Sequence, residues 1–86
     1  MSAVTDRGGI RVAVLRELKR LAPEADLASL APDALLRRTL DLDSVDFLNL
    51  ILALHRATGV EVPEQDYPAL ATVDGCVAYF ASRLGL

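Results

Sequence analysis

The segment that runs from Asp43 to Gly59 constrains the fold most, because it joins a polar start, an apolar body and a glycine stop. Its body, "FLNLILAL", contains neither proline nor glycine, and its apolar residues recur at helical spacing. Asp43 is a favourable N-cap, and Gly59 is a typical C-terminal stop. We therefore predict a helix from Ser44 to about Thr58, with Ser44 as its exposed first residue at the positive end of the helix dipole.

Two further amphipathic helices flank this one in sequence. The first is predicted from about residue 9 to Leu21, and Pro23 stops it. Its apolar residues are spaced by four, four and three, and they are Ile10, Val14, Leu18 and Leu21. The last helix begins after Thr72, which is a favourable N-cap. It has one apolar stripe, made of Val73, Val77, Phe80 and Leu84.

The two segments that connect these helices are predicted to be ordered and to contain no strands. "APEADLASLAPDALLRRTLDLD" is too rich in leucine to be disordered, so we predict an ordered loop with a short turn of helix near Asp33 to Arg37. The leucines expected to hold it to the core are Leu27, Leu30, Leu35, Leu36 and Leu40. In "VEVPEQDYPAL", Pro63 suits the first position of a short helix, which Pro68 should end. The predicted fold class is all-α, a small bundle of three main helices and one short helix.

Composition limits the chain to one small domain. A length of 86 residues with 52% hydrophobic content supports one compact core, so residues 1–86 are expected to form a single domain and a monomer. Cys76 is the only cysteine, which rules out an intramolecular disulfide and fits a reducing compartment. The N-terminus lacks the apolar run of a signal peptide, and no later segment reaches membrane-spanning length. We expect a soluble, cytoplasmic protein.

The charge of the chain is unevenly distributed. From Asp41 onward the sequence has seven acidic residues and only two basic ones, Arg56 and Arg83, which gives this part a net charge of −5. The first forty residues carry a net charge of +2. Binding to nucleic acid requires clustered lysines and arginines, so this acidic half argues against it and favours basic protein partners.

Nucleophilic catalysis and metal binding lack the residues they need. Ser44 and His55 would lie on one helix, eleven residues and roughly 16 Å apart, so they cannot meet. With a single histidine and a single cysteine, neither a serine or cysteine hydrolase nor a histidine–cysteine metal site is supported. No glycine-rich phosphate loop is present, and "RGG" at residues 7–9 is interpreted as a frayed helix start. Ser44 therefore remains as a helix-capping residue or as a substrate for modification.

Three segments resemble the acyl carrier protein family. "LDLDSVDFLNLILAL" is similar to the family's Asp-Ser-Leu signature and second helix, and "TGVEVPEQDY" and "LATVDGCVAYF" are similar to the segments that follow it. The resemblance implies that Ser44 carries 4′-phosphopantetheine, transferred from coenzyme A by a phosphopantetheinyl transferase, with Asp43 in a supporting role. It also implies a freestanding carrier that is not an enzyme and that meets acyl-loading and acyl-processing enzymes.

The predicted partner surface departs from the family pattern. The second helix of the family is usually lined with glutamates, but here Asn49, His55, Arg56 and Ala57 take those positions and only Asp46 is retained. An apolar strip of Val45, Leu48 and Leu52 is expected to be partly exposed on the same helix. The partner-binding residues predicted are therefore Val45, Asp46, Leu48, Asn49, Leu52, His55 and Arg56.

These departures favour a specialised lipid, polyketide or secondary-metabolite pathway over general fatty-acid synthesis, because basic partners should be attracted less strongly. Two alternatives remain open at this point. One is an aminoacyl carrier loaded by a dedicated ligase, and the other is an unmodified helical adaptor. His55 is expected to be a solvated surface residue and Cys76 a buried apolar residue. Tyr67 and Pro68 are expected to serve packing of the short helix, with the border of an acyl pocket as the alternative.

Overall fold

The structure is a computed structural model that describes residues 4–86, which form an all-helical fold. No strand occurs among these residues. The α-helices are α1 (Arg7–Leu21), α2 (Leu36–Thr39), α3 (Ser44–Thr58) and α4 (Val73–Leu84), and two 3-10 helices cover Leu27–Ser29 and Glu64–Leu70. The predicted class, with three main helices, is confirmed. The predicted bounds of α3 are also confirmed.

The core lies between the three long helices, with α1 packed against both α3 and α4. The apolar stripes predicted for α1 and α4 supply much of it together with α3, and the fully or nearly fully buried residues of these helices include Ile10, Val14, Leu18, Leu50, Ile51, Leu54, Val73, Val77 and Phe80. Phe47 and Leu84 pack against this cluster but are only partly buried. The hydrophobic periodicity therefore predicted the buried faces, while the ends of the stripes are more open than expected.

Helix α1 begins at Arg7, two residues earlier than predicted. The Asp6 carboxylate accepts a hydrogen bond from the backbone N–H of Gly9 at 2.7 Å, which satisfies one of the free donors of the first turn. Gly8 and Gly9 therefore belong to the helix, and the interpretation of "RGG" as a frayed start is wrong. The missed signal was an aspartate three residues before the second glycine.

The short helix in the long connection is α2, and it begins later than the predicted turn near Asp33 to Arg37. The backbone N–H of Leu36 donates to the carbonyl of Ala71 at 2.9 Å, and the Leu36 side chain is fully buried. This distant contact fixes where α2 starts. Leu35 is 49% exposed and does not hold the loop to the core, because Leu36 takes the inward position. The other leucines of the loop pack partly buried against the core, and they are Leu27, Leu30 and Leu40.

The segment after Pro63 is a 3-10 helix that continues through Pro68 to Leu70, so the prediction that Pro68 ends it is wrong. Pro63 itself is the extended residue before the helix rather than its first residue. The segment is attached to α4, because Asp66 accepts a hydrogen bond from the Tyr79 hydroxyl at 2.7 Å. Local propensity alone does not favour helical turns on both sides of a proline, and this tertiary contact stabilises them.

The buried thiol of Cys76 is expected to be unreactive in the native chain. The residue is fully buried, as predicted, and burial raises the pKa of its thiol to about 12. Since the thiolate is the reactive form, labelling of the unmodified protein by an aromatic disulfide at pH 8 should be slower than labelling of the urea-unfolded chain by on the order of a hundredfold. Equal rates in the two states would contradict this packing.

Candidate functional site

Ser44 is the first residue of α3, and a reciprocal pair of hydrogen bonds fixes the helix end beside it. The Asp43 carboxylate accepts from the backbone N–H of Asp46 at 2.8 Å, and the Asp46 carboxylate accepts from the backbone N–H of Asp43 at 3.2 Å. This arrangement is a capping box. The predicted cap at Asp43 is confirmed, but the capping role of Asp46, which we had predicted only as a partner-binding acid, was missed.

The backbone before Ser44 is held on the core by Leu42. Asp41 adopts a left-handed conformation with φ of 54°, which an aspartate tolerates better than most residues. Leu42 is 6% exposed and its N–H donates to the carbonyl of Arg37 at 2.9 Å. Phe47 packs on the same cluster, consistent with a hydrophobic staple. With its neighbours anchored inward, Ser44 is left exposed at the surface.

An arginine that sequence reasoning missed contacts the Ser44 hydroxyl. Nη2 of Arg37 donates to Ser44 Oγ at 3.3 Å, and Nε of the same side chain donates to the carbonyl of Leu42 at 3.4 Å. Its guanidinium carbon lies 5.9 Å from the centroid of the Phe47 ring, within cation–π range. The only signal in the sequence was a pair of arginines seven and six residues before the serine, a spacing that predicts no contact by itself.

A cavity of about 710 Å³ adjoins Ser44. Most of its lining is apolar, with three charged side chains, and it consists of Leu35, Arg37, Arg38, Ser44, Phe47, Leu48, Glu64, Tyr67, Pro68 and Ala71. Phe47 and Tyr67 meet edge to face with ring centroids 6.3 Å apart. Tyr67 and Pro68 therefore do more than pack the short helix, because both line this cavity. Such a space suits an apolar or amphipathic group tethered nearby.

The apolar strip predicted on α3 is exposed. Val45 is 65% exposed, and Leu48 and Leu52 are each 42% exposed. Arg56 is also exposed, whereas Asn49 is half-buried. The strip thus lies outside the core and runs along α3 from the residue next to Ser44.

His55 is half-buried rather than solvated, so that expectation is corrected. Its Nδ1 lies 3.0 Å from the carbonyl oxygen of Val60. The chain turns back toward His55 because Gly59 adopts a left-handed conformation with φ of 75°, and the N–H of Gly59 donates to the His55 carbonyl at 2.7 Å. His55 therefore helps to close the C-terminal end of α3, at the end opposite Ser44.

The described part of the chain shows neither a metal-binding cluster nor a membrane-spanning helix. Among residues 4–86, no three His, Cys, Asp or Glu side chains are placed to hold a metal ion. No helix within the same residues is long and apolar enough to cross a membrane.

Comparison with known proteins identifies the family. The family model described as "Phosphopantetheine attachment site" matches residues 9–80. The chain is 29% identical to an acyl carrier protein of Rubrobacter xylanophilus over 72 residues, which cover 80% of this chain and 89% of that relative. It is 35% identical to an acyl carrier protein of Lactobacillus johnsonii over 58 residues, 67% of this chain and 72% of that relative. The chain belongs to the acyl carrier protein family.

As an acyl carrier protein, the chain is a carrier and not an enzyme, and its cofactor is covalently attached 4′-phosphopantetheine. Members of this family interact with phosphopantetheinyl transferases and with acyl-processing enzymes. The carrier protein has a place that fits such a group, because an exposed hydroxyl at the start of α3 lies beside a guanidinium and a largely apolar cavity. An anion attached there would meet the positive end of the helix dipole.

Proposed function

We propose that Ser44 is the attachment site and that the chain carries acyl groups as thioesters on the 4′-phosphopantetheine bound there. The observation that supports this most is the position of the Ser44 hydroxyl, exposed at the first turn of a capped helix, inside the matched residues 9–80. The cavity beside it offers partial shelter to the arm and its cargo. Asp43 supports the site by fixing the backbone from which the hydroxyl projects.

The proposed attachment is a phosphoryl transfer in which Ser44 is the substrate. Its Oγ forms a bond to the phosphorus of coenzyme A that bears the pantetheine, the bond from that phosphorus to the leaving oxygen breaks, and adenosine 3′,5′-bisphosphate departs with the electron pair. The hydroxyl proton passes to a base of the transferase, since His55 lies at the far end of α3. Once attached, the group supplies the thiol on which an acyl thioester forms.

Mass measurement tests the attachment site directly. The unmodified protein is incubated with coenzyme A and a broad-specificity phosphopantetheinyl transferase, and the product is digested to map the modified residue. We expect one phosphopantetheine per chain, on the peptide that contains Ser44. The other serines, Ser29, Ser82 and Ser2, should remain unmodified; Ser2 lies outside the described residues. An unchanged mass would favour the unmodified adaptor instead.

We further propose a specialised lipid, polyketide or secondary-metabolite pathway, because α3 carries one carboxylate and one guanidinium and therefore no net negative charge. Arg56 is exposed where the family usually has a glutamate, and the Asp46 carboxylate is used in the capping box. Apolar contact would then come from Val45, Leu48 and Leu52, with specificity from Asp46, Asn49, His55 and Arg56. The same departures support the second candidate, an aminoacyl carrier that a dedicated ligase loads.

Partner choice is expected to change when α3 is made more acidic. In the variant Asn49→Glu with Arg56→Glu, acylation by general fatty-acid synthesis enzymes should rise about tenfold at low salt, and the native loading enzyme should act more slowly. His55 is retained because its ring contacts the Val60 carbonyl. Rates are measured by mass spectrometry of the loaded carrier at two salt concentrations.

The control for partner choice is Arg16→Glu with Ser82→Glu, which makes the same change in net charge at exposed positions of α1 and α4. If both variants alter the rates equally, net charge and not the face of α3 determines partner choice. If neither differs from the parent, α3 is not the discriminating surface.

We also propose that residues 1–86 form a single carrier domain that works as a monomer in the cytoplasm, without nucleic-acid partners. The buried cluster draws side chains from all four α-helices, which supports one cooperative unit. The free, buried Cys76 is compatible with a reducing compartment. Sedimentation of the loaded protein at several concentrations checks the monomeric state.

A further inference from the structure

Arg37 is held beside Ser44 by contacts on both its backbone and its side chain. The preceding residue, Leu36, is fully buried, and the backbone carbonyl of Arg37 accepts a hydrogen bond from the N–H of Leu42. The side chain then extends along the residues that precede α3, with Nε bonded to the Leu42 carbonyl and Nη2 to Ser44 Oγ. The guanidinium is therefore directed at the hydroxyl by an anchored backbone, although the side chain itself is exposed.

The charge of Arg37 is not neutralised by a carboxylate. The ion pairs between side chains of residues 4–86 join Arg11 to Asp74, Arg20 to Glu17 and Arg83 to Asp66. Arg37 instead donates to a carbonyl and a hydroxyl, both uncharged. A full positive charge thus remains available at the hydroxyl that would become a phosphodiester.

Such a charge is favourable beside a phosphodiester on Ser44, because the start of α3 carries two carboxylates. The Asp43 carboxylate belongs to the preceding residue, and the Asp46 carboxylate is bonded back to the Asp43 N–H. The capping box also uses the N–H of Asp46, so the phosphate cannot take that donor without displacing a carboxylate. The two carboxylates of the capping box therefore oppose an anion that the helix dipole attracts, and a nearby guanidinium offsets that repulsion.

We propose that Arg37 is a phosphate-binding residue, whose guanidinium pairs with the nonbridging oxygens of the phosphodiester on Ser44 and holds the base of the arm at the cavity that both residues line. This inference rests on the proposed attachment at Ser44. Guanidinium groups bind phosphate through two parallel hydrogen bonds, which fixes direction as well as distance. The contact of Nη2 with Ser44 Oγ in the unmodified chain places the donor within reach of the new oxygens.

A comparison of loaded and unloaded proteins isolates this role. Thermal melts at low salt are recorded for the parent protein and for the variants Arg37→Gln, Arg37→Lys and Arg38→Gln. Each protein is measured before and after phosphopantetheine is attached, a step called loading here, and peptide mapping first verifies that the group is on Ser44. Loading should change the Tm of the parent and of Arg38→Gln by no more than about 2 °C, whereas it should lower the Tm of Arg37→Gln by about 4–8 °C. Arg37→Lys should recover at least half of that difference, and high salt should shrink it.

Arg38→Gln is the matched control, because Arg38 lines the same cavity and its loss changes the net charge equally, without a bond to Ser44. If Arg37 had a purely structural role, Arg37→Gln would lower the Tm of the loaded and the unloaded protein by the same amount. Equal loading effects in the two glutamine variants would overturn the proposal. Mapping of the group to a serine other than Ser44 would instead overturn the attachment site itself, so the two failures are distinguishable.

Nuclear magnetic resonance of the parent protein gives a test without substitutions. The Nε–H resonance of Arg37 is followed in 15N-labelled protein before and after loading. We expect it to shift and to exchange more slowly with water after loading, while the Arg38 resonance stays in place. An unchanged Arg37 resonance in fully loaded protein would also overturn the proposal.

Discussion

Ser44→Ala is expected to reduce incorporation of phosphopantetheine from one group per chain to none. The substitution removes the only oxygen that the start of α3 presents as an exposed hydroxyl nucleophile, so the transferase has no bond to form there. The fold should survive, because the helix end is capped by Asp43 and Asp46 rather than by Ser44. Alanine is also favourable in the first turn of a helix. Intact mass after exhaustive incubation measures the loss, and circular dichroism verifies the fold.

Two other serines provide controls for this result. Ser29 and Ser82 are also exposed, but Ser29 donates to Asp26 at 2.7 Å in a short 3-10 turn and Ser82 lies in the last turn of α4. Neither meets the positive end of a long helix. Ser29→Ala and Ser82→Ala should therefore load as the parent does. Residual loading of Ser44→Ala at either position would contradict a single attachment site.

Helix α3 was predictable from the sequence because each of its signals is local. The cap at Asp43 and the stop at Gly59 specify its two ends, and the apolar spacing between them specifies its inward face. The exposure of Ser44 was predictable for the same reason, since it depends on residues within a few positions along the chain.

The connections were less predictable because distant backbone partners determine them. The start of α2 depends on the carbonyl of Ala71, and the N–H of Asp74 donates to the carbonyl of Pro32 at 2.9 Å. No periodicity within a loop reveals such a partner. The same holds for the 3-10 helix through Pro68, which a hydrogen bond from α4 supports. Local propensity is a weak guide where tertiary contacts supply the hydrogen bonds.

The neighbours of Ser44 in space were missed for this reason as well. Arg37 reaches the hydroxyl only because the chain between them folds back over buried Leu42. His55 was predicted as solvated because helical spacing places it near the outward face, but the turn at Gly59 brings the Val60 carbonyl to its Nδ1. Sequence patterns along one helix predicted which face is exposed, and they did not predict which other segments lie against it.

Phe80→Ala is expected to lower the free energy of unfolding by about 3–5 kcal/mol, and Leu54→Ala by about 2–5 kcal/mol. Both side chains are fully buried, and Phe80 is the largest fully buried one among the described residues. Its ring also meets that of Tyr79 edge to face, with centroids 5.4 Å apart. A domain of this size has a total stability of roughly 5–15 kcal/mol, so either loss is a large share of it. Urea melts followed by circular dichroism measure both variants.

The loss of stability in Phe80→Ala and Leu54→Ala should be large, because a small movement of the neighbouring residues cannot fill the cavity that either substitution leaves. The residues around it are held on α1, α3 and α4, with α1 packed against both other helices, so neighbouring side chains relax only in part. Leu52→Ala is the matched control, since Leu52 lies two residues from Leu54 on the same helix and is 42% exposed. Its substitution should change stability by no more than about 0.5 kcal/mol. If Leu52→Ala destabilises the protein as much as Leu54→Ala does, the outward strip of α3 is packed against the core and is not available to partners.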